Sequence, residues 1–193
     1  MSGLSRGQAR LRNARALVRR MDRRLMRRSR LTRSPGLDRA LVALTRAASY
    51  SRLWLLIAGG LATGGGRKGR IAAERGLIAI AIAATVANGP AKLLVRRGRP
   101  FQRGLATLIP MPASTSFPSG HSASAFAFAT AATTELPPLA PALLPLAAAV
   151  AYSRVHTGVH YPSDIAAGSM IGIASGLLAS SPQRRLHAQT PAR

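Results

Sequence analysis

The chain contains no cysteine, which excludes disulfides, thiolate metal ligands and cysteine nucleophiles. Acids are almost as scarce: Asp22, Asp38, Glu74, Glu135 and Asp164 are the only ones in 193 residues. None neighbours another, so a carboxylate-bridged metal centre is not expected. Lysine occurs only at Lys68 and Lys92, and the basic character is therefore almost wholly arginine. What is present is 28 Lys plus Arg, a formal net charge of +23, and 47% hydrophobic residues. A disordered polycation would not carry so much apolar material. The cationic and apolar parts are segregated along the chain, which disfavours a soluble basic nucleic-acid binder. One domain is the default at this length. The balance describes a small, arginine-rich membrane protein.

Residues 1–33 hold 12 arginines and one acid, Asp22. Leu11, Ala14, Val18, Met21 and Leu25 recur at three- and four-residue steps, so a helix here carries an apolar stripe flanked by guanidinium groups. Such a helix suits an anionic membrane surface, where each exposed Arg contributes roughly 1 kcal/mol near anionic lipid. That reading is preferred to a solvated tail and to nucleic-acid binding. No uncharged apolar core follows the first arginines, so a cleavable signal is not expected. Ser34-Pro35-Gly36 marks a break.

Residues 37–50 then predict a short amphipathic helix, and Leu53 to Ala62 an apolar one that fades into Gly64-Gly65-Gly66. From Gly76 to Val95 only Lys92 is charged over 20 residues, long enough to cross a hydrocarbon core of about 30 Å. Residues 121–134 are apolar and alanine-rich, while Leu136 to Ser153 and Ile165 to Ser181 carry no charge. The expectation is an all-α polytopic membrane bundle of about five transmembrane helices behind an N-terminal amphipathic helix. Its divisions are an Arg-rich segment 1–36, a membrane-embedded domain 37–181 and a tail 182–193. Gly168, Gly172 and Gly176 form a doubled small-xxx-small face that lets helix backbones approach closely. It serves packing within the chain or, as the second choice, a homodimer contact.

Three polar clusters interrupt the apolar pattern. In the first, Lys92 and Arg99 are two helical turns apart and face one side before Pro100 stops the helix, with Arg96 and Arg97 between them. Alone, such cations are ordinary interfacial anchors. The second is Pro118-Ser119-Gly120-His121 at the mouth of an apolar helix, where backbone N–H groups and the helix dipole suit phosphate oxygens. An interfacial His beside a capping Ser reads equally well. The third holds Ser153, Arg154, His160 and Asp164. A carboxylate four residues after the imidazole can accept the N–H of one ring nitrogen and leave the other nucleophilic. A capping Asp beside a surface His is the plain alternative.

In order, these clusters read Lys-x6-Arg-Pro, Pro-Ser-Gly-His and Ser-Arg-x5-His-x3-Asp. The pattern resembles the type 2 phosphatidic acid phosphatase family, which is related to acid phosphatases and vanadium haloperoxidases. The motifs span residues 92–164, the similarity extends over roughly 50–181, and the first 33 residues lie outside it. The resemblance implies that His160 attacks phosphorus to form a phosphohistidine, that Asp164 orients and stabilises it, and that His121 serves as acid and then base. It implies that Lys92, Arg99 and Arg154 neutralise the phosphoryl oxygens, with Ser119 and Gly120 completing the cradle. It implies no metal and no cofactor. His156, off the fixed positions, reads as a neighbour.

The implied substrate is a lipid phosphate: phosphatidate, phosphatidylglycerophosphate, or a polyprenyl phosphate or diphosphate, with decaprenylphosphoryl-phosphoribose a candidate in a GC-rich bacterium. Antiparallel crossings place all three motifs at one membrane face, with Tyr50, Trp54, Tyr152 and Tyr161 near it as an aromatic belt. With five crossings the basic N-terminus shares that face, and the positive-inside rule assigns both to the cytoplasmic side of a bacterial plasma membrane. The competing reading is a non-catalytic scaffold that binds anionic lipid or acidic partners through its arginines.

Overall fold

Alanine and leucine dominate the apolar runs, and the few breaks fall at Gly, Pro and Ser, so helix is the favoured local state along most of the chain. The computed structural model describes residues 2–100 and 107–181, and among these residues there is no β-strand. Eight α-helices form in them: α1 Ser2–Leu31, α2 Pro35–Ala47, α3 Arg52–Gly64, α4 Gly66–Asn88, α5 Pro90–Leu94, α6 Gly120–Glu135, α7 Ala140–His156 and α8 Pro162–Ala179. Ser34 caps α2 by accepting from the Leu37 amide, and Pro35 opens it at a position that needs no amide donor. The expected tail 182–193 lies outside the described residues. Two stretches, Gly66–Leu94 and Pro137–His156, are long and apolar enough to cross a membrane.

Two boundaries depart from the sequence expectation. α4 begins at Gly66, because Arg67, Lys68, Arg70, Glu74 and Arg75 are compatible with helix even though they end the charge-free run. At its far end Gly89 and Pro90 break the helix, α5 stops at Leu94, and residues 95–100 are non-helical. Lys92 and Arg99 therefore do not share a helical face. They meet by another route, described below.

α6 is the central helix, packed on α4, α7 and α8. Its contact with α8 is made by the glycine face. A Cβ on Gly168 would stand 2.4 Å from the Ser119 carbonyl oxygen, and one on Gly172 2.4 Å from that of Ala123. One on Gly176 would meet Thr130 Cβ at 2.6 Å. Those glycines are buried and form the seam between α6 and α8, the packing within the chain that is the first expectation for them. Ala79, Ala83 and Ala87 of α4 pack likewise on Ala123, Ala127 and Ala131. Trp54 is fully buried with its ring centroid 5.5 Å from that of Phe128, a core position rather than the interfacial belt expected for it.

α1 packs on α7 and α8, and among its described side chains those buried are Asp22, Met26 and Ser29. Its predicted apolar stripe stays outside: Leu11, Val18, Met21 and Leu25 are all exposed.

The seam gives a stability prediction. Gly172→Ala places a methyl group against backbone rather than a flexible side chain, and should cost about 1–3 kcal/mol. Thermal unfolding in detergent measures it; an unchanged melting temperature would refute the close approach.

Candidate active site

The turns at one end of the bundle build the site. α4 ends there, α6 and α8 begin there, and α7 ends there. A cavity of about 660 Å³ opens between them, lined by Lys92, Arg99, Gly120, His121, Arg154 and His160 together with Thr45, Arg46, Ser49, Tyr50, Asn88 and Ser114. The three sequence clusters thus converge on one space. Ser119 does not line it.

His160 lies between α7 and α8 and is buried, 3% exposed. Its Nδ1 stands 3.6 Å from Asp164 Oδ2, a separation longer than a hydrogen bond. Its Nε2 is 3.2 Å from Arg99 Nη1. A guanidinium has donors only, so Nε2 accepts and the ring proton resides on Nδ1, facing the carboxylate. That is the tautomer a nucleophilic Nε2 requires. Burial first, and then the Arg99 and Arg154 charges, hold the imidazole below its ordinary pKa, against the opposing influence of Asp164.

Arg99 is fixed by oxygens without charge. Its Nε donates to the Ser114 carbonyl at 2.8 Å, Nη1 to the Val159 carbonyl at 2.9 Å, and Nη2 to Ser114 Oγ at 3.1 Å. Lys92 Nζ reaches the same Ser114 Oγ at 3.4 Å. Ser114, and not a common helical face, therefore joins the two ends of the first motif. Arg154 Nη1 donates to Thr45 Oγ1 at 2.5 Å. No carboxylate lies on the cavity wall among the described residues.

Asp164 sits at the start of α8, where Pro162 opens the helix and the carboxylate accepts the Tyr161 amide at 2.9 Å. Its other oxygen accepts from Arg97 Nη1 at 2.8 Å. Arg97 in turn donates through Nη2 to Asp22 Oδ2 at 2.6 Å, and its guanidinium lies 4.0 Å from the Tyr161 ring centroid. Burial opposes its charge, but the bonds to Asp22 and Asp164 outweigh this and raise the Arg97 pKa.

His121, in the first turn of α6, places Nε2 3.3 Å from Ser49 Oγ. Ser49 precedes Tyr50 and Ser51, which hold left-handed backbone (φ 54° and 60°) in the turn between α2 and α3. Ser119 is fully buried: its Oγ accepts from Ser122 Oγ at 3.0 Å, and its amide donates to the Asp164 carbonyl at 3.0 Å. Gly120 alone of that pair faces the cavity, its amide in the first helical turn where no intrahelical partner exists. His156 points elsewhere and pairs with Asp38 at 2.7 Å.

Sequence reading missed Thr45, Ser49 and Ser114, common polar residues with no local pattern. It named Arg97 but gave it no role. Asp22 did carry a signal, as the lone acid among 12 arginines.

The PAP2 superfamily model matches residues 74–186. The chain is 35% identical over 158 residues to a decaprenylphosphoryl-5-phosphoribose phosphatase of Mycobacterium tuberculosis, covering 79% of this chain and 84% of that protein. A Mycolicibacterium smegmatis protein of the same name is 37% identical over 138 residues, covering 69% and 72%. Among solved structures, LpxE of Aquifex aeolicus superposes with a TM-score of 0.66 at 25% identity, over 81% of this chain and 92% of that one. The PAP2-type phosphatidylglycerolphosphate phosphatase of Bacillus subtilis does so at 0.67 and 23% identity, over 92% and 90%, a likeness of fold. With a cavity of two histidines and unopposed cations already in view, these matches establish that the chain belongs to the PAP2 superfamily and is a phosphatase of lipid phosphates.

Proposed function

We propose that the chain hydrolyses the phosphomonoester of a polyprenyl-linked sugar phosphate of the decaprenylphosphoryl-5-phosphoribose type, through a phosphohistidine on His160. The observation that carries the reading is the convergence of His160, His121, Lys92, Arg99 and Arg154 on one cavity. Its volume exceeds what a PO₃ unit needs and leaves room for a headgroup. The matching names of the mycobacterial relatives support the sugar-phosphate class.

The steps balance with residues of the chain alone. His160 Nε2 forms the N–P bond as the P–O bond to the headgroup breaks, and His121 gives its proton to the leaving alkoxide. Lys92, Arg99 and Arg154 take up the charge on the equatorial oxygens, and the Gly120 amide adds a fixed dipole. Asp164 stabilises the imidazolium. His121 then takes a proton from water, hydroxide attacks phosphorus, and the N–P bond breaks to release orthophosphate. Ser119 supports this cradle from behind, capping α6 and tying it to Asp164. Neither a metal nor a cofactor takes part.

We place the chain in a bacterial plasma membrane with five crossings, by α3, α4 with α5, α6, α7 and α8. The site lies at the bilayer edge, residues 1–36 flank it, and 37–181 form the embedded domain. The exposed stripe of α1, with its arginines, supports contact with an anionic lipid surface. α1 lies at the site end of the bundle, so the positive-inside rule favours a cytoplasmic site.

Three outcomes test this reading. In detergent, His160→Ala should abolish phosphate release from a panel of lipid phosphates, with the sugar phosphate turned over best and excess chelator without effect. Release by the variant, or abolition by chelator, would refute the mechanism. Because His160 must be neutral to attack and its pKa is lowered, kcat/KM should persist below the ordinary imidazole value of about 6.5 and fall as pH drops through the lowered value. An acid limb above that value would contradict the assignment. Finally, Met111→Cys supplies the only thiol, at an exposed position beside the cavity. It should react with an impermeant reagent only after cells are opened; labelling in intact cells would put the site outside.

A further inference from the structure

We propose that Asp22, on the N-terminal helix outside the family motifs, is a positioning residue for the His160–Asp164 pair and acts through Arg97. The inference rests on the phosphohistidine reading above.

Asp22 is 2% exposed on a helix otherwise crowded with solvated arginines. Many guanidinium groups on α1 itself could serve as its partner at little cost. Instead its three donors all belong to segments that carry the chemistry. Oδ1 accepts from the Ser163 amide at 2.9 Å; Oδ2 accepts from Ser163 Oγ at 2.8 Å and from Arg97 Nη2 at 2.6 Å. Ser163 directly precedes Asp164. Arg97 lies two residues before Arg99, and its second nitrogen holds Asp164 Oδ1 at 2.8 Å and Ser163 Oγ at 2.6 Å. One planar fork thus bridges the acid of α1 and the acid of the catalytic pair.

The bridge has two physical consequences. It fixes the Asp164 carboxylate from its Oδ1 side, so that Oδ2 stays turned toward His160 Nδ1. It also shares the Arg97 charge between two carboxylates. A guanidinium opposed by Asp164 alone would draw that carboxylate's charge to itself and weaken its support of the imidazolium that forms during attack. Asp22 offsets the guanidinium and leaves Asp164 effectively anionic toward His160. α1 is therefore part of the active site's second layer as well as a lipid-facing helix.

The test uses the full chain purified in detergent, with Asp22→Asn, Asp22→Glu, Arg97→Lys and His160→Ala assayed together. Asp22→Asn should lower kcat about ten- to a hundredfold, the scale of a small misplacement of reacting groups, while KM stays within about twofold. Single-turnover formation of the phosphoenzyme should slow by the same factor. Asp22→Glu should recover most of the rate. Arg97→Lys, which keeps charge but loses the fork, should reproduce the kcat loss and stands in for Asp22→Asn if that variant does not fold. Parental kcat in either folded variant, a loss confined to KM, an Asp22→Glu as slow as Asp22→Asn, or failure of both Asp22→Asn and Arg97→Lys to fold would each overturn the proposal. A still-active His160→Ala would instead overturn the reading beneath it.

Discussion

The structure depends on an uneven division of a very small stock of negative charge. Two of the five acids, Asp22 and Asp164, are both bound by Arg97. Arg99, Arg154 and Lys92 are left with the oxygens of Ser114, Val159 and Thr45, which fix their geometry without cancelling their charge. Positive groups held close together repel one another, and an entering anion relieves the repulsion. A phosphoryl group is such an anion, and on the proposed mechanism these cations take up the charge of its oxygens. An additional acid on the cavity wall would stabilise the empty protein and weaken the site.

Holding that arrangement requires helices that pack with little side chain between them. Gly168 lets α8 approach the Ser119 carbonyl, and the Ser119 amide bonds the Asp164 carbonyl beside it. The start of α6, with Gly120 and His121, is thereby locked to the start of α8, with Asp164. The alanine layers between α4 and α6 act in the same way lower in the bundle. Small residues serve here as spacers that set how near two helix mouths come. The seam thus fixes the start of α6, which carries His121, against the start of α8, which carries Asp164.

Much of this is legible in the sequence. The charge-free runs gave α6, α7 and α8 nearly to their ends, because nothing in them competes with helix. The three motifs named Lys92, Arg99, Gly120, His121, Arg154 and His160 on the cavity wall. Asp164 stands behind His160, and the Ser119 hydroxyl is consumed as a cap, which spacing cannot distinguish from a phosphate contact. The alignment of Lys92 with Arg99 failed because Gly89 and Pro90 break the helix just upstream, and Ser114 does the joining from a loop. Trp54 looked interfacial by type, yet the hole beside Phe128 takes the whole ring. Asp22 and Arg97 are far apart in sequence, so no periodicity could pair them. What carried information was the isolation of one acid among arginines.

The central claim is that His160 Nε2 bonds phosphorus inside a ring of three cations. A crystal structure of the protein soaked with orthovanadate, which adopts the five-coordinate geometry of the transferring phosphoryl group, examines it directly. The account predicts vanadium bonded to His160 Nε2, its equatorial oxygens on Lys92, Arg99 and Arg154, and its outer apical oxygen toward His121. Vanadate bonded to His121 instead, or absent from the cavity while bound elsewhere, would contradict it.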